Sequence, residues 1–151
     1  MKARTAILIL TPCLVAAGIL AASLRPSSAE MVVYKSATCG CCVKWIEHME
    51  AAGFKVKAYD RTDMGTIKET YGVPHQGYSC HTAIAEGYVI EGHVPAEYVR
   101  KLLDDRPDVS GLTVPNMPIG SPGMEGPNPE TYQVYSFDSR GVMNEYATVT
   151  P

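Results

Sequence analysis

Little in this chain is basic. Lysine and arginine number 13 against 16 aspartates and glutamates, and the sequence pI is near 5.8. That balance argues against a nucleic-acid binder, which would carry a basic face. No internal period recurs, so a repeat architecture is not expected. Length is limited too: 151 residues suffice for one domain with a real core and are too few for two comfortable ones. The remaining composition, 46% hydrophobic and 19% charged, belongs to a globular chain and not to a disordered one.

The first thirty residues differ in kind from the rest. Lys2 and Arg4 supply a positive start, residues 6–22 form an apolar run, and small Ser27 and Ala29 stand at −3 and −1 of a cut before Glu30. This layout predicts a secretory signal peptide over 1–29, hence a periplasmic protein with no membrane attachment after cleavage. An uncleaved anchor is the rival reading. Lipid attachment at Cys13 is disfavoured by Pro12 directly before it. Without the leader, ten basic residues face sixteen acidic ones.

Four cysteines then remain: Cys39, Cys41, Cys42 and Cys80. In an exported protein four cysteines usually mean two structural disulfides. Three of these fall within four residues and two are adjacent, so a framework stapling distant segments is not expected. The sulfurs are gathered for chemistry.

Pattern along the chain predicts a strand over 31–35, a turn through Cys42, and an amphipathic helix over 43–52 stopped by Gly53. A second strand follows over 54–59, then a helix over 64–71 that Asp63 can cap. A hairpin over 82–85 and 88–91 turns at Glu86-Gly87. A third helix over 96–103 follows, with Pro95 at a position its first turn tolerates. This β-α-β-α-β-β-α order is that of a thioredoxin-like core, so residues 30–151 are expected to form one α/β, thioredoxin-like metal-binding domain. Residues 114–129 carry five prolines and three glycines and read as a long loop. A closing hairpin is expected over 132–137 and 142–149.

Cys39 and Cys42 form a CxxC pair at the first strand-to-helix turn, where the partial positive charge of a helix start stabilises a thiolate. Cys41 and Cys80-His81 shift the reading from redox toward metal, because a redox catalyst needs only two thiols. In a thioredoxin-like core the loop before the third strand lies beside the CxxC turn, so Cys80 is expected to join the other three sulfurs. Thiolates suit copper(I), zinc and iron–sulfur clusters. Iron–sulfur assembly ahead of export would be unusual, and a Cys₄ or Cys₃His zinc site is the stronger rival. Adjacent Cys41 and Cys42 suit sulfurs bridging several Cu(I) ions better than one tetrahedral zinc. Met117 and Met124 in the loop add thioether donors that favour Cu(I). His81 is a candidate ligand beside Cys80. His75 and His93 are weaker candidates, His48 reads as solvated, and Trp45 as packing.

Four blocks carry a resemblance: Tyr34 to Trp45 around the cysteine turn, Ser79-Cys80-His81-Thr82, Gly87 to Pro95, and Pro115 to Glu125. Together they resemble the CopG-type family of periplasmic copper-resistance proteins, across nearly all of the chain from Met31 to Tyr146. The resemblance implies a thioredoxin-like fold, a metal set of Cys39, Cys41, Cys42 and Cys80, and a methionine-bearing loop with Met117 and Met124. It also implies copper ions as partners, and other periplasmic copper-handling proteins.

Three functions follow. The first is a copper(I)-binding protein of copper tolerance or homeostasis, with a site whose sulfurs can bridge several ions. The second is a thiol–disulfide or copper-linked oxidoreductase using Cys39 and Cys42. The third is a small domain held by a Cys39–Cys42 disulfide or a structural zinc.

Overall fold

The computed structural model describes residues 29–151. The expected leader, apart from Ala29, lies outside them. Ten elements of regular structure follow in order: β1 (Glu30–Lys35), α1 (Gly40–Ala51), β2 (Lys55–Asp60), α2 (Met64–Thr70), β3 (Thr82–Ala85), β4 (Tyr88–Gly92), α3 (Ala96–Asp105), β5 (Gly111–Val114), β6 (Tyr132–Phe137) and β7 (Met143–Val149). A single 3₁₀ turn, His75–Gly77, precedes β3. The strands form one mixed sheet in the order β2-β1-β3-β4-β5-β6-β7. No helix among the described residues is long and apolar enough to cross a membrane.

Alternation along the strands sorts the sheet into two buried faces. Ala83, Ala85, Ile90 and Leu112 belong to a core with Trp45 and Met49 of α1 and Val99, Leu102 and Leu103 of α3. Ile84 and Val89 belong to a smaller cluster with Val73 and Phe137. Register follows from the hairpin turn: Glu86 and Gly87 both take positive φ, 47° and 90°, which matches the twist of a two-residue hairpin. Ala83 therefore faces Ile90 and Ile84 faces Val89.

The expected elements are present, with three corrections. Helix α1 starts at Gly40 and not at residue 43, so Cys41 and Cys42 lie in its first turn. The chain also carries a strand the pattern does not announce, β5, which pairs parallel with β4 and antiparallel with β6. All four of its residues are buried, and a strand covered on both faces has no reason to alternate. Through β5 the closing hairpin becomes part of the main sheet. Finally, Pro95 is the N-cap of α3 and not its first helical residue. Asp63 does occupy the N-cap position of α2, but its carboxylate accepts from Arg61 instead of the helix N–H groups.

Helix α3 is amphipathic, with Val99 and Leu102 wholly buried. Replacing Leu102 by Ala removes apolar contacts and leaves a cavity, and should lower the unfolding free energy by about 2–5 kcal/mol in a denaturant titration.

Candidate metal centre

Strand β1 ends at Lys35 and the chain turns over three residues, closed by the Cys39 amide donating to the Ser36 carbonyl at 3.1 Å. Cys39 is the N-cap of α1, with φ −78° and ψ 90°. Cys39 and Cys42 are joined in a disulfide with Cα atoms 5.3 Å apart. Cys42 is wholly buried, whereas Cys39 is partly buried. Cys41 and Cys80 are free thiols. Cys41 Sγ lies 3.6 Å from Cys39 Sγ. Cys80 arrives from the segment before β3, and all four sulfurs lie within 4.8 Å of one another.

The proline- and glycine-rich segment packs over this turn. Met117 Sδ is 3.9 Å from Cys41 Sγ. Met124 lines a groove of about 520 Å³ with Cys41, Lys44 and Ile119. The close approach depends on Gly123, at φ +90°. A Cβ there would stand 2.6 Å from the Cys41 carbonyl oxygen and 3.0 Å from the Trp45 nitrogen. Only glycine lets the segment rest on the first turn of α1.

Cys80 also meets two imidazoles. His93 Nε2 is 2.9 Å from its sulfur and His81 Nδ1 is 3.3 Å away. These three residues form a second group whose ligand atoms lie together. His81 is fully buried with its ring 4.2 Å from that of Trp45, and its Nε2 has no hydrogen-bond partner. Burial holds the His81 pKa well below its ordinary value, with the His93 and Lys68 charges adding to the effect. Burial also lowers His93, to about 4. Both rings are therefore neutral near pH 7, the form that can donate a lone pair to a metal. Cys80 is pushed up to about 12, by burial first and then by the neighbouring Cys41 thiol, so it is a protonated thiol in the metal-free chain.

The structure thus brings Cys39, Cys41, Cys42 and Cys80 together, sets Met117 beside Cys41 and Met124 in the adjoining groove, and turns His81 toward Cys80 from the second group. His75 stays exposed, against the Tyr78 ring. His48 is not simply solvated: its Nε2 accepts the Ala96 amide at 3.1 Å, which ties α1 to the start of α3. His93 is the residue the sequence undervalues. Hairpin arithmetic finds it, because Thr82 pairs with Glu91 across the two-residue turn. Two steps further along the same antiparallel register, Cys80 falls opposite His93.

Fold and site define the chain as a mixed α/β protein with a cysteine cluster that could hold a metal. Two solved structures are similar over most of its length. One is named copper resistance protein CopG, form 2, with TM-score 0.77 and 42% identity, covering 81% of this chain and 98% of that one. The other is form 1 of the same protein, with TM-score 0.76, the same identity and the same coverage. The chain belongs to this copper resistance protein CopG family. A family described as a protein of unknown function, DUF411, matches residues 77–124, which span Cys80 through Met124. No curated protein matches the chain.

Replacing Gly123 by Ala should lift the methionine-bearing segment off α1. The expected readout is a several-fold faster alkylation of Cys41 in the metal-free chain, with helix content unchanged by circular dichroism. An unchanged rate would mean the segment does not shield that thiol.

Proposed function

We propose that this is an exported, thioredoxin-like copper(I)-binding protein of copper tolerance, with Cys39, Cys41, Cys42 and Cys80 as its thiolate ligands. The observation that carries the reading is the convergence of four cysteine sulfurs within 4.8 Å although some forty residues of chain separate Cys80 from the rest. The relatives' name, copper resistance protein, supports copper as the cargo. The β-α-β-α-β-β-α order of the first seven elements supports the thioredoxin-like assignment. The leader over 1–29 supports export to the periplasm, leaving residues 30–151 as the binding domain.

Copper(I) is favoured over zinc on two grounds. Adjacent Cys41 and Cys42 are awkward around one tetrahedral ion and suit sulfurs shared between ions. The Met117 thioether at 3.9 Å from Cys41 is a soft donor that zinc rarely uses. Met124 and His81 are assigned to the margin of the same centre, and His93 joins them through its contact with Cys80. Loading requires an external thiol reductant to open the Cys39–Cys42 disulfide, delivering two electrons and two protons and itself leaving as a disulfide, after which the thiols lose their protons as copper binds. Other periplasmic copper-handling proteins are the partners such a carrier would serve.

A second reading, as an oxidoreductase, is favoured by the asymmetry of the disulfide. Cys39 is only partly buried and Cys42 wholly so, the asymmetry expected of attacking and resolving thiols. In its copper-linked form the Cys39 and Cys42 thiolates close to a disulfide, release two electrons, and convert two Cu(II) to two Cu(I).

An anaerobic Cu(I) titration of the reduced chain from Glu30, against a chromophoric chelator and with thiol counting, separates these. Several coppers per chain with all four thiols protected are expected. Cys80→Ser should lower both the copper count and the affinity, and the chain with its disulfide closed should bind fewer ions than the reduced one. Absence of tight binding, together with a readily cycled Cys39–Cys42 disulfide, would leave the oxidoreductase. Native zinc whose removal unfolds the chain would leave a structural role.

A further inference from the structure

A carboxylate with no exposed surface has to be paired and fully hydrogen-bonded to be tolerated. Glu91 of β4 is such a group, and Lys68 of α2, only 5% exposed, is its partner. Lys68 Nζ donates to Glu91 Oε1 at 2.5 Å and to Thr82 Oγ1 at 3.3 Å. The Ser79 amide donates to the same Glu91 oxygen at 2.7 Å, and the Thr82 hydroxyl donates to Oε2 at 2.7 Å. Neither Lys68 nor Glu91 belongs to the clusters of candidate ligands.

What the carboxylate grips is informative. Ser79 and Thr82 flank Cys80-His81 on either side, so the two oxygens of one side chain hold both ends of a four-residue segment. Ser79 reaches further, its hydroxyl donating to the Asn116 carbonyl beside Met117. The fit leaves no spare room. A Cβ on Gly92, which has φ +69°, would stand 2.3 Å from Ser79 Oγ. An apolar pair of similar volume would stabilise a core at least as well. It could not, however, hold an amide and a hydroxyl at set positions.

We infer that Lys68 and Glu91 are positioning residues for the sulfur cluster. Their buried pair holds the Ser79 amide on one side of Cys80-His81 and the Thr82 hydroxyl on the other, so the Cys80 sulfur faces Cys39, Cys41 and Cys42 before any metal arrives. This rests on the reading of the four cysteines as one metal centre, and it names the device that preorganises it.

The test compares Glu91→Leu, Glu91→Gln and Thr82→Val in the reduced, metal-free chain from Glu30. Alkylation of Cys80 and Cys41 is followed by mass spectrometry in the same molecules, and a denaturant titration of each variant separates global loosening from a local change at Cys80. Glu91→Leu should raise the Cys80-to-Cys41 ratio about tenfold or more, the factor that corresponds to losing a hydrogen bond to a charged group. Glu91→Gln, whose amide oxygen still accepts the Ser79 N–H, should restore most of the wild-type ratio. Thr82→Val removes the hydroxyl that donates to Glu91 and accepts from Lys68, with little change of shape, and should shift the ratio in the same direction even if Glu91→Leu fails to fold. A wild-type ratio in folded Glu91→Leu or in Thr82→Val would overturn the inference. Copper is not needed for this readout, so a wild-type chain that failed to bind Cu(I) would sink the proposed function while the ratio still judged the clamp.

Discussion

Trp45 is where the hydrophobic core and the sulfur cluster meet. Its ring is fully buried against the His81 imidazole, and its indole N–H donates to the Val94 carbonyl at 2.9 Å. One side chain of α1 thereby holds the segment that carries Cys80 and the turn that carries His93. About one turn earlier on the same helix stand Cys41 and Cys42. A buried aromatic supplies both large apolar contact and, through its one polar atom, a directed bond. Without it the two halves of the site would share a sheet but not a common position.

Around that contact the chain uses different means for different donors. The cysteines of the first turn are placed by the helix itself, with Cys39 as its cap. Cys80 is placed from the opposite side by a buried ion pair. The methionines come on a segment with little regular structure, held down where Gly123 allows backbone to touch backbone. The thiols and imidazoles thus sit at the start of α1, just before β3 and just after β4, while the thioethers ride on a segment without helix or strand.

Much of this was legible in the sequence. The apolar spacing of residues 43–52 and 96–103 announced the two core helices, and Glu86-Gly87 announced the hairpin. The gathering of three cysteines in four residues pointed to one site. What escaped had physical reasons. Strand β5 is four residues long and buried on both faces, so no alternation marks it. The start of α1 lies within the cysteine motif, where Gly40 gives little helical signal. His48 and His93 carry no local sign of their partners, since each is assigned its role by an element distant in the chain: the α3 amide for one, Cys80 across a hairpin for the other. The Lys68–Glu91 pair is similarly invisible, because charged residues in a sequence ordinarily denote surface.

The hairpin at Glu86-Gly87 sits at the far end of β3 and β4 from the sulfurs and touches none of them. Yet its two residues count out the distance that brings Cys80 level with His93. Sheet geometry admits only whole-residue steps, and each step exchanges the two faces. The turn therefore acts as the metering element of the centre. A single residue added there, absorbed by sliding β4 along β3, would leave every ligand in the sequence and carry the imidazole to the wrong side of the sheet.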